Sequence, residues 1–401
     1  MGERPTEFQY AERAERPHVR RARRAIHALF GIELAPAPER VAQFRAMYYD
    51  ADPLAEAFVD EVHLARGAER GRAMLDRALA SGAASVPDAP ASLLALFADL
   101  DHEPSWLDHE KVEHGARVFR RYGPEMFRLA GAVTLEAYAE CSVAKPLALS
   151  GGYQGDSTRK RFLETVAFWL AVSAPNGLAL GSQGRAAALR VRIMHVFVRR
   201  RVAAHREWDH DAWGVPISQA DALLTLLGGS VVPGLMMRML GHRPSRADID
   251  ATLHFWRWVG HLMGVRPRWY PETIEEALQI LWIAQQKGVR RAGDDGRKLC
   301  QSFAHAFDDA GPIDRGLHVG FTRFFLSKRT YDANALPPAG AWALAPLAMF
   351  PFVFTAETLR RRIPALDELA DRVATARARR FYERYAASKH AEFRAPSSLT
   401  R

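Results

Sequence analysis

Apolar residues in this chain recur three and four positions apart through most of its length, and nowhere do they alternate over the roughly four to eight residues that a half-buried strand needs. "DPLAEAFVDEVHLA" (52–65), "GRAMLDRALASG" (71–82) and "ASLLALFADL" (91–100) all carry this period. A helical period places one apolar stripe on each segment, and the stripes must be buried against one another. Local signals agree: Asp108 precedes "HEKVEHGARVFRRYG", Pro124 follows Gly123 at a first-turn position, and Ser218 and Ser245 stand ahead of their helices as caps. "PEMFRLAGAVTLEAYAECSVAKPLALSGG", "TRKRFLETVAFWLAVSA", "RAAALRVRIMHVFVRRRVAAH" and "ISQADALLTLLGGSVVPGLMMRMLG" read as further helical units, and "GYQGDS" as a polar turn between the first two. No Pro-, Ser- or Gly-rich linker and no repeat divides the chain. The expectation is a single all-α domain over 1–401, with 1–24 as a flexible basic arm.

Charge narrows the partners. Lys and Arg number 55 against 46 Asp and Glu, giving +9 and a pI near 9.7, which suits an anionic partner. The basic residues are spread widely, without an RNP-like aromatic motif, paired zinc-ligand spacing or a basic zipper, so nucleic acid is not expected. Cys141 and Cys300 stand alone in apolar helical patterns, which favours a reducing compartment and thiols that pack as small hydrophobes. "RRARRAIHALFGIELAP" lacks the apolar length and cleavage site of a secretion signal, so the expected location is cytoplasmic. The uncharged run 335–356 is long enough to cross a bilayer but contains Pro346 and Pro351. It reads as a broken, buried helix pair or as a patch lying on a membrane, so peripheral membrane contact stays open.

"RVRIMHVFVRRR" (190–201) poses the chemical question. At helical spacing His195 shares the face of Val191, Val198 and Val202 and points inward, while Arg190, Arg192, Arg199, Arg200 and Arg201 flank it. Taken alone, such a ring is a hydrogen-bonded core histidine, and the arginines are a solvated face. One ligand would use both: haem b needs an axial nitrogen for its iron and cations beside its propionates. On the preceding helix Arg161 and Thr165 lie four apart, one turn below Trp169, with Glu164 beside them. That cluster is either a salt-bridged edge, with Lys160 or Arg161 on Glu164, or the polar lid of a cofactor pocket.

"STRKRFLET", the connector "GLALGSQG", "RVRIMHVFVRRR", "WDHDAWGVPISQADALLTLLGG" and "FWRWVGHLMGVRPRWYPETIEEA" occur in an order that resembles the latex clearing protein family of rubber oxygenases and its mycophenolate-pathway relatives, over roughly 115–360. The resemblance implies a globin-like helical core, one non-covalent haem b, and molecular oxygen acting on a hydrophobic unsaturated substrate, small or polymeric. Carried over by motif, His195 matches the proximal ligand, and Arg161 and Thr165 match the distal arginine and threonine. Glu164 stands where rubber oxygenases place a lysine, and is a candidate acid or base. The family's acidic base has no clear counterpart in "AECSVAKPL"; Glu140 is a candidate by proximity. Arg199 is the expected propionate partner, and Trp169 is expected to line the pocket.

Rival readings are weaker. "HEKVEH" (109–114) misses the zinc-peptidase pattern by one residue and reads as a charged helix surface, and "HREWDH" (205–210) reads as a loop. His254 and His261 are fallback iron ligands. The reading is thus a haem b oxygenase. A haem-binding sensor or carrier without turnover, and a helical lipid-binding module at a membrane, are the alternatives.

Overall fold

The computed structural model describes residues 5–150 and 156–386. Among them every regular element is helical, and the one isolated bridge pairs Glu140 with Arg291. An N-terminal group comprises α1 (Tyr10–Ala14), α2 (Pro17–Phe30), α3 (Pro38–Ala46), α4 (Pro53–Phe58), α5 (Ala68–Ser81) and α6 (Ala91–Asp101). The centre is α7 (His109–Arg121), α8 (Pro124–Ala137), α9 (Cys141–Ser150), α10 (Asp156–Val172) and α11 (Gln183–Ala203). Next come α12 (His210–Trp213), α13 (Gln219–Gly229), α14 (Val231–Met236), α15 (Arg246–Leu262) and α16 (Ile274–Gln286). The chain finishes with α17 (Asp294–Ala304), α18 (Pro312–Phe325), α19 (Lys328–Ala333), α20 (Ala345–Arg362) and α21 (Ala365–Ala386).

Helix starts follow the local chemistry. Asp108 accepts from the Lys111 amide, and Ser218 and Ser245 form full capping boxes with Asp221 and Asp248. Thr273 also caps its helix. Two expected continuities fail. The 217–241 unit breaks at Ser230, so α13, α14 and a 3-10 turn (Met237–Leu240) follow one another. The 124–152 unit breaks around Glu140, where Cys141 N–H donates to the Arg290 carbonyl instead of continuing the helix. The expected turn at 152–157 lies largely outside the described residues.

Two further expectations are corrected. Residues 5–24 are not a free arm: α1 and most of α2 occupy them, Tyr10 and Val19 are buried, and Glu7 accepts from Trp213 Nε1 at 2.8 Å. The 335–356 run is not buried. It forms a 3-10 turn (Gly340–Leu344) and then α20, with Pro346 in the first turn, where no amide is needed. Among the described residues two helical stretches have the length and mean hydropathy to cross a membrane; Gln219–Leu240 is 56% buried over its apolar window and Gly340–Arg362 only 11%.

The main core is built around α7, α8, α10, α11 and α15, and a second cluster joins α1 to α3, α13 and α16. Gly115 lets α7 and α15 touch, since a Cβ there would lie 2.1 Å from the Ala251 carbonyl oxygen. Helix α11 crosses this interior and is pinned by ion pairs. Arg192, fully buried, donates to both carboxylate oxygens of Asp52 at 2.7 and 3.0 Å and to Asp99 at 2.8 Å. Gly264 closes the site with φ +77°, and a side chain there would collide with Asp52 and Arg192. Leaving Arg192 without this carboxylate should be severe: Asp52→Ala is expected to lower unfolding stability by roughly 3–5 kcal/mol in urea titrations. Asp52→Leu with Arg192→Met should recover most of the loss, and a single substitution with no measurable effect would contradict this role.

Candidate active site

Helices α10 and α11 are antiparallel neighbours joined by residues 173–182. The connector's glycines make the contact close: a Cβ at Gly184 would lie 2.6 Å from the Ala171 carbonyl oxygen, and one at Gly177 2.4 Å from it. From that contact His195 stands eleven residues along α11, and Arg161 ten residues back along α10. At 1.5 Å per residue each is about 15 Å away along its helix.

His195 is set deep between helices, yet part of its side chain remains accessible to a water-sized probe. Among the described residues neither ring nitrogen has a hydrogen-bond partner. Burial, reinforced by the Arg199 charge and only partly opposed by Asp52, pulls its pKa down to about 4. The ring is therefore neutral near pH 7 and offers a free lone pair, the state an iron ligand requires. An open ring is not by itself a ligand, since His63 is buried among Phe58 and Phe197 with neither nitrogen bonded; His195 differs from it in keeping part of its side chain accessible. His318, also buried, is bonded through Nε2 to the Phe303 carbonyl at 3.0 Å.

Four of the five arginines around the stripe have other occupations, while Arg201 is exposed with no ion pair among the described residues. Arg199, expected beside propionates, instead donates to the Pro216 and Ile217 carbonyls and to Glu56 at 3.0 to 3.1 Å, which ties α11 to α4 and to the loop before α13. Arg190 and Arg200 pair with Asp76 and Asp60. All these carboxylates come from the N-terminal helices, and sequence spacing within α11 gives no sign of them.

On α10 the salt-bridged reading is realised, with Arg161 Nη1 3.4 Å from Glu164 Oε2. Glu164 is buried and this is its only ion pair among the described residues; burial raises its pKa, opposed by Arg161 and Lys160. The Thr165 hydroxyl donates to the Arg161 carbonyl at 3.1 Å, which leaves its oxygen as an acceptor. Trp169 follows one turn beyond Thr165 on the same helix. It stacks on Phe127 at 5.8 Å and meets Phe119 edge-on, lining a narrow cleft shared with Ser173 and Ala378 on the side of α10 facing α7, α8 and α21.

The remaining candidates have structural partners. His254 Nε2 accepts from the Asp108 amide at 3.1 Å. His261 stacks on Trp258, with Nε2 3.1 Å from Arg266 Nη2. "HEKVEH" lies at the start of α7 as a charged surface, with His114 on Asp248 at 2.8 Å, and "HREWDH" is mostly loop. Glu140 lies 2.7 Å from Lys287 Nζ. Burial opposes the charge on Lys287, but Tyr48, Glu140 and Asp221 around it hold the ammonium protonated. No group of three or more metal-ligating side chains occurs among the described residues.

The class of the chain follows from its family. Residues 117–389 match the catalytic domain of the ER-bound oxygenase mpaB/B'/rubber oxygenase family, and the chain belongs to that family. The match runs beyond the 115–360 core read from the motifs to include α21. The rubber oxygenase of Streptomyces sp. (strain K30) is 25% identical over 233 residues, 57% of this chain and 55% of that protein, so the chain spans about half the length of this curated relative. The structure of latex clearing protein LCP in the closed state aligns with a TM-score of 0.61 at 21% identity, covering 84% of this chain and 91% of that one. The all-α fold is shared.

Two titrations test the electrostatics. The unfolded His195 binds a proton near pH 6.5, whereas the folded ring refuses it until about pH 4. Its neutral form thus contributes stability that is complete above pH 6.5 and lost as pH falls toward 4. His195→Leu should therefore flatten the acid-side decline in melting temperature over that window; an unchanged slope would mean the ring is solvated. Glu164 has the opposite sign, because its raised pKa costs stability as pH rises through it. Glu164→Gln is expected to melt above the wild type at pH 8 and to converge with it below about pH 4, near the ordinary carboxylate range.

Proposed function

We propose that the chain is a haem b-dependent oxygenase that inserts oxygen at, or cleaves, a carbon–carbon double bond of a hydrophobic substrate such as a polyisoprenoid, terpenoid or lipid. Family membership supports the oxygenase class. The rubber oxygenase relative supports a long unsaturated chain as substrate. The observation that carries the haem assignment is His195: a deep-set, neutral imidazole with no hydrogen-bond partner among the described residues.

His195 would hold the iron through a neutral ring nitrogen, whereas Arg199, Arg190 and Arg200 are already engaged by carboxylates and carbonyls of the chain. When bound, haem b supplies an iron centre that activates dioxygen toward an alkene. The protein's own part is positioning and proton control. The Arg192–Asp52 pair fixes α11 one turn from His195. Thr165 presents an acceptor oxygen, Arg161 a positive charge, and Glu164 a carboxyl whose raised pKa lets it hold or release a proton at Oε1 or Oε2 closer to neutral pH. Phe168 on α10 and Val191, Met194 and Val198 on α11 give the surroundings an apolar character.

Purified holoprotein should show a Soret band and a b-type pyridine haemochrome. His195→Ala should lose both while keeping its helical circular dichroism, whereas His254→Ala and His261→Ala should keep both. Retention of haem by His195→Ala would remove the assignment. Oxygen consumption with a polyisoprene or terpenoid alkene then separates an oxygenase from a carrier: Glu164→Gln is expected to slow turnover by roughly 10²–10⁴-fold without loss of the Soret band, if the carboxyl moves a proton in the limiting step.

A further inference from the structure

Helix α20 has one fixed side and one bare side. On the fixed side Pro346 and Glu357 are buried, and the backbone at Phe350 and Phe354 runs so close to Gly241 that a Cβ there would lie 2.5 Å from the Phe350 carbonyl oxygen. Arg243 holds the same side, with its guanidinium 4.9 Å above the Phe354 ring and Nη1 2.9 Å from Thr358. Just before the helix, Trp342 packs over Gly316 and Gly320 of α18. The opposite face carries Leu344, Leu347, Pro351, Phe352 and Leu359, and Phe352 is 77% exposed, Leu344 62% and Leu347 53%. Residues 333–356 contain no charged side chain. A monomer surface rarely leaves so long an apolar face bare.

Charge selects among occupants. At the end of this face Arg361 and Arg362 are exposed, and neither has an ion-pair partner among the described residues, whereas the adjacent Arg360 is held by Glu357 and Asp367. Ile363, also exposed, follows them. An apolar helix face of Leu and Phe bordered by unpaired arginines is the pattern of a helix lying in the headgroup region of an anionic bilayer. A neutral polymer surface would have no use for the two free guanidiniums, and a second copy would have to bring carboxylates to this end of the face.

We propose that α20 docks the protein on an anionic lipid surface, with Leu344, Leu347, Phe352 and Leu359 entering the acyl boundary and Arg361 and Arg362 contacting phosphate headgroups. The helix lies along the surface and does not span it, because its fixed side belongs to the protein core.

Full-length protein is sedimented with phosphatidylcholine vesicles, with and without about 30 mol% phosphatidylglycerol. The wild type is expected to partition onto the anionic vesicles and far less onto the neutral ones. Leu347→Ser with Phe352→Ser should lower that partitioning by at least about tenfold, since two apolar side chains lose their burial. Arg361→Glu with Arg362→Glu should weaken it by a similar factor and remove its salt sensitivity. Circular dichroism and melting temperature confirm that each variant is folded. Absent sedimentation, equal binding to both vesicle types, or binding that either folded double variant retains overturns the proposal. So does capture by polyisoprene particles alone, or a dimer that Leu347→Ser with Phe352→Ser dissociates while vesicle binding is absent.

Discussion

The ion pair between Arg192 and Asp52, extended to Asp99, is the contact on which the arrangement of the interior depends. It joins α11 to the start of α4 and the end of α6 across the core. Two charges buried together are tolerated only when their geometry is near ideal, and here the guanidinium is matched bidentately. Asp52 also caps α4, so one carboxylate orients two helices. Gly264 and Arg266 complete the cluster, the first by lacking a side chain and the second by placing its guanidinium on Asp99 at 3.0 Å.

His195 inherits its setting from this cluster and from Arg199 one turn further on. Both arginines share its side of α11, and both are clamped to carboxylates, so α11 has little freedom to rotate and solve the imidazole's missing hydrogen bond. The same charges keep the ring neutral: Arg199 reinforces the effect of burial, and Asp52 is too well paired to reverse it. A structural role therefore produces a chemical one. The positive charge that looks in sequence like a cradle for an anion is consumed in fixing the helix.

Across the bundle, glycines decide which helices approach. Gly115 sets the α7–α15 contact, and Gly177 and Gly184 set the α10–α11 contact that brings Arg161, Glu164 and Thr165 onto the helix beside His195. Trp169, one turn beyond Thr165 on α10, fills space against Phe127. The division of α10 into a polar group and an aromatic anchor explains its weak amphipathicity: it packs on more than one side.

The sequence by itself determined that the fold is all-α, because a period of 3.6 with no period of two leaves no strand to pair. It also marked the starts of several helices, since caps and first-turn prolines act over three or four residues, and it singled out His195 as an inward ring. Helix breaks at Ser230 and near Glu140 were not legible, because apolar spacing runs through both and the partners that stop the helices are distant. The roles of Arg199 and Trp169 were not legible either: the carboxylate and carbonyls that occupy Arg199, and the ring that receives Trp169, lie far from them along the chain or on other elements. Only the tertiary structure decided which guanidiniums are paired, which imidazole nitrogens are left open, and which apolar face, that of α20, is uncovered among the described residues. These are properties of what lies opposite a side chain, and a one-dimensional pattern fixes only the direction in which it points.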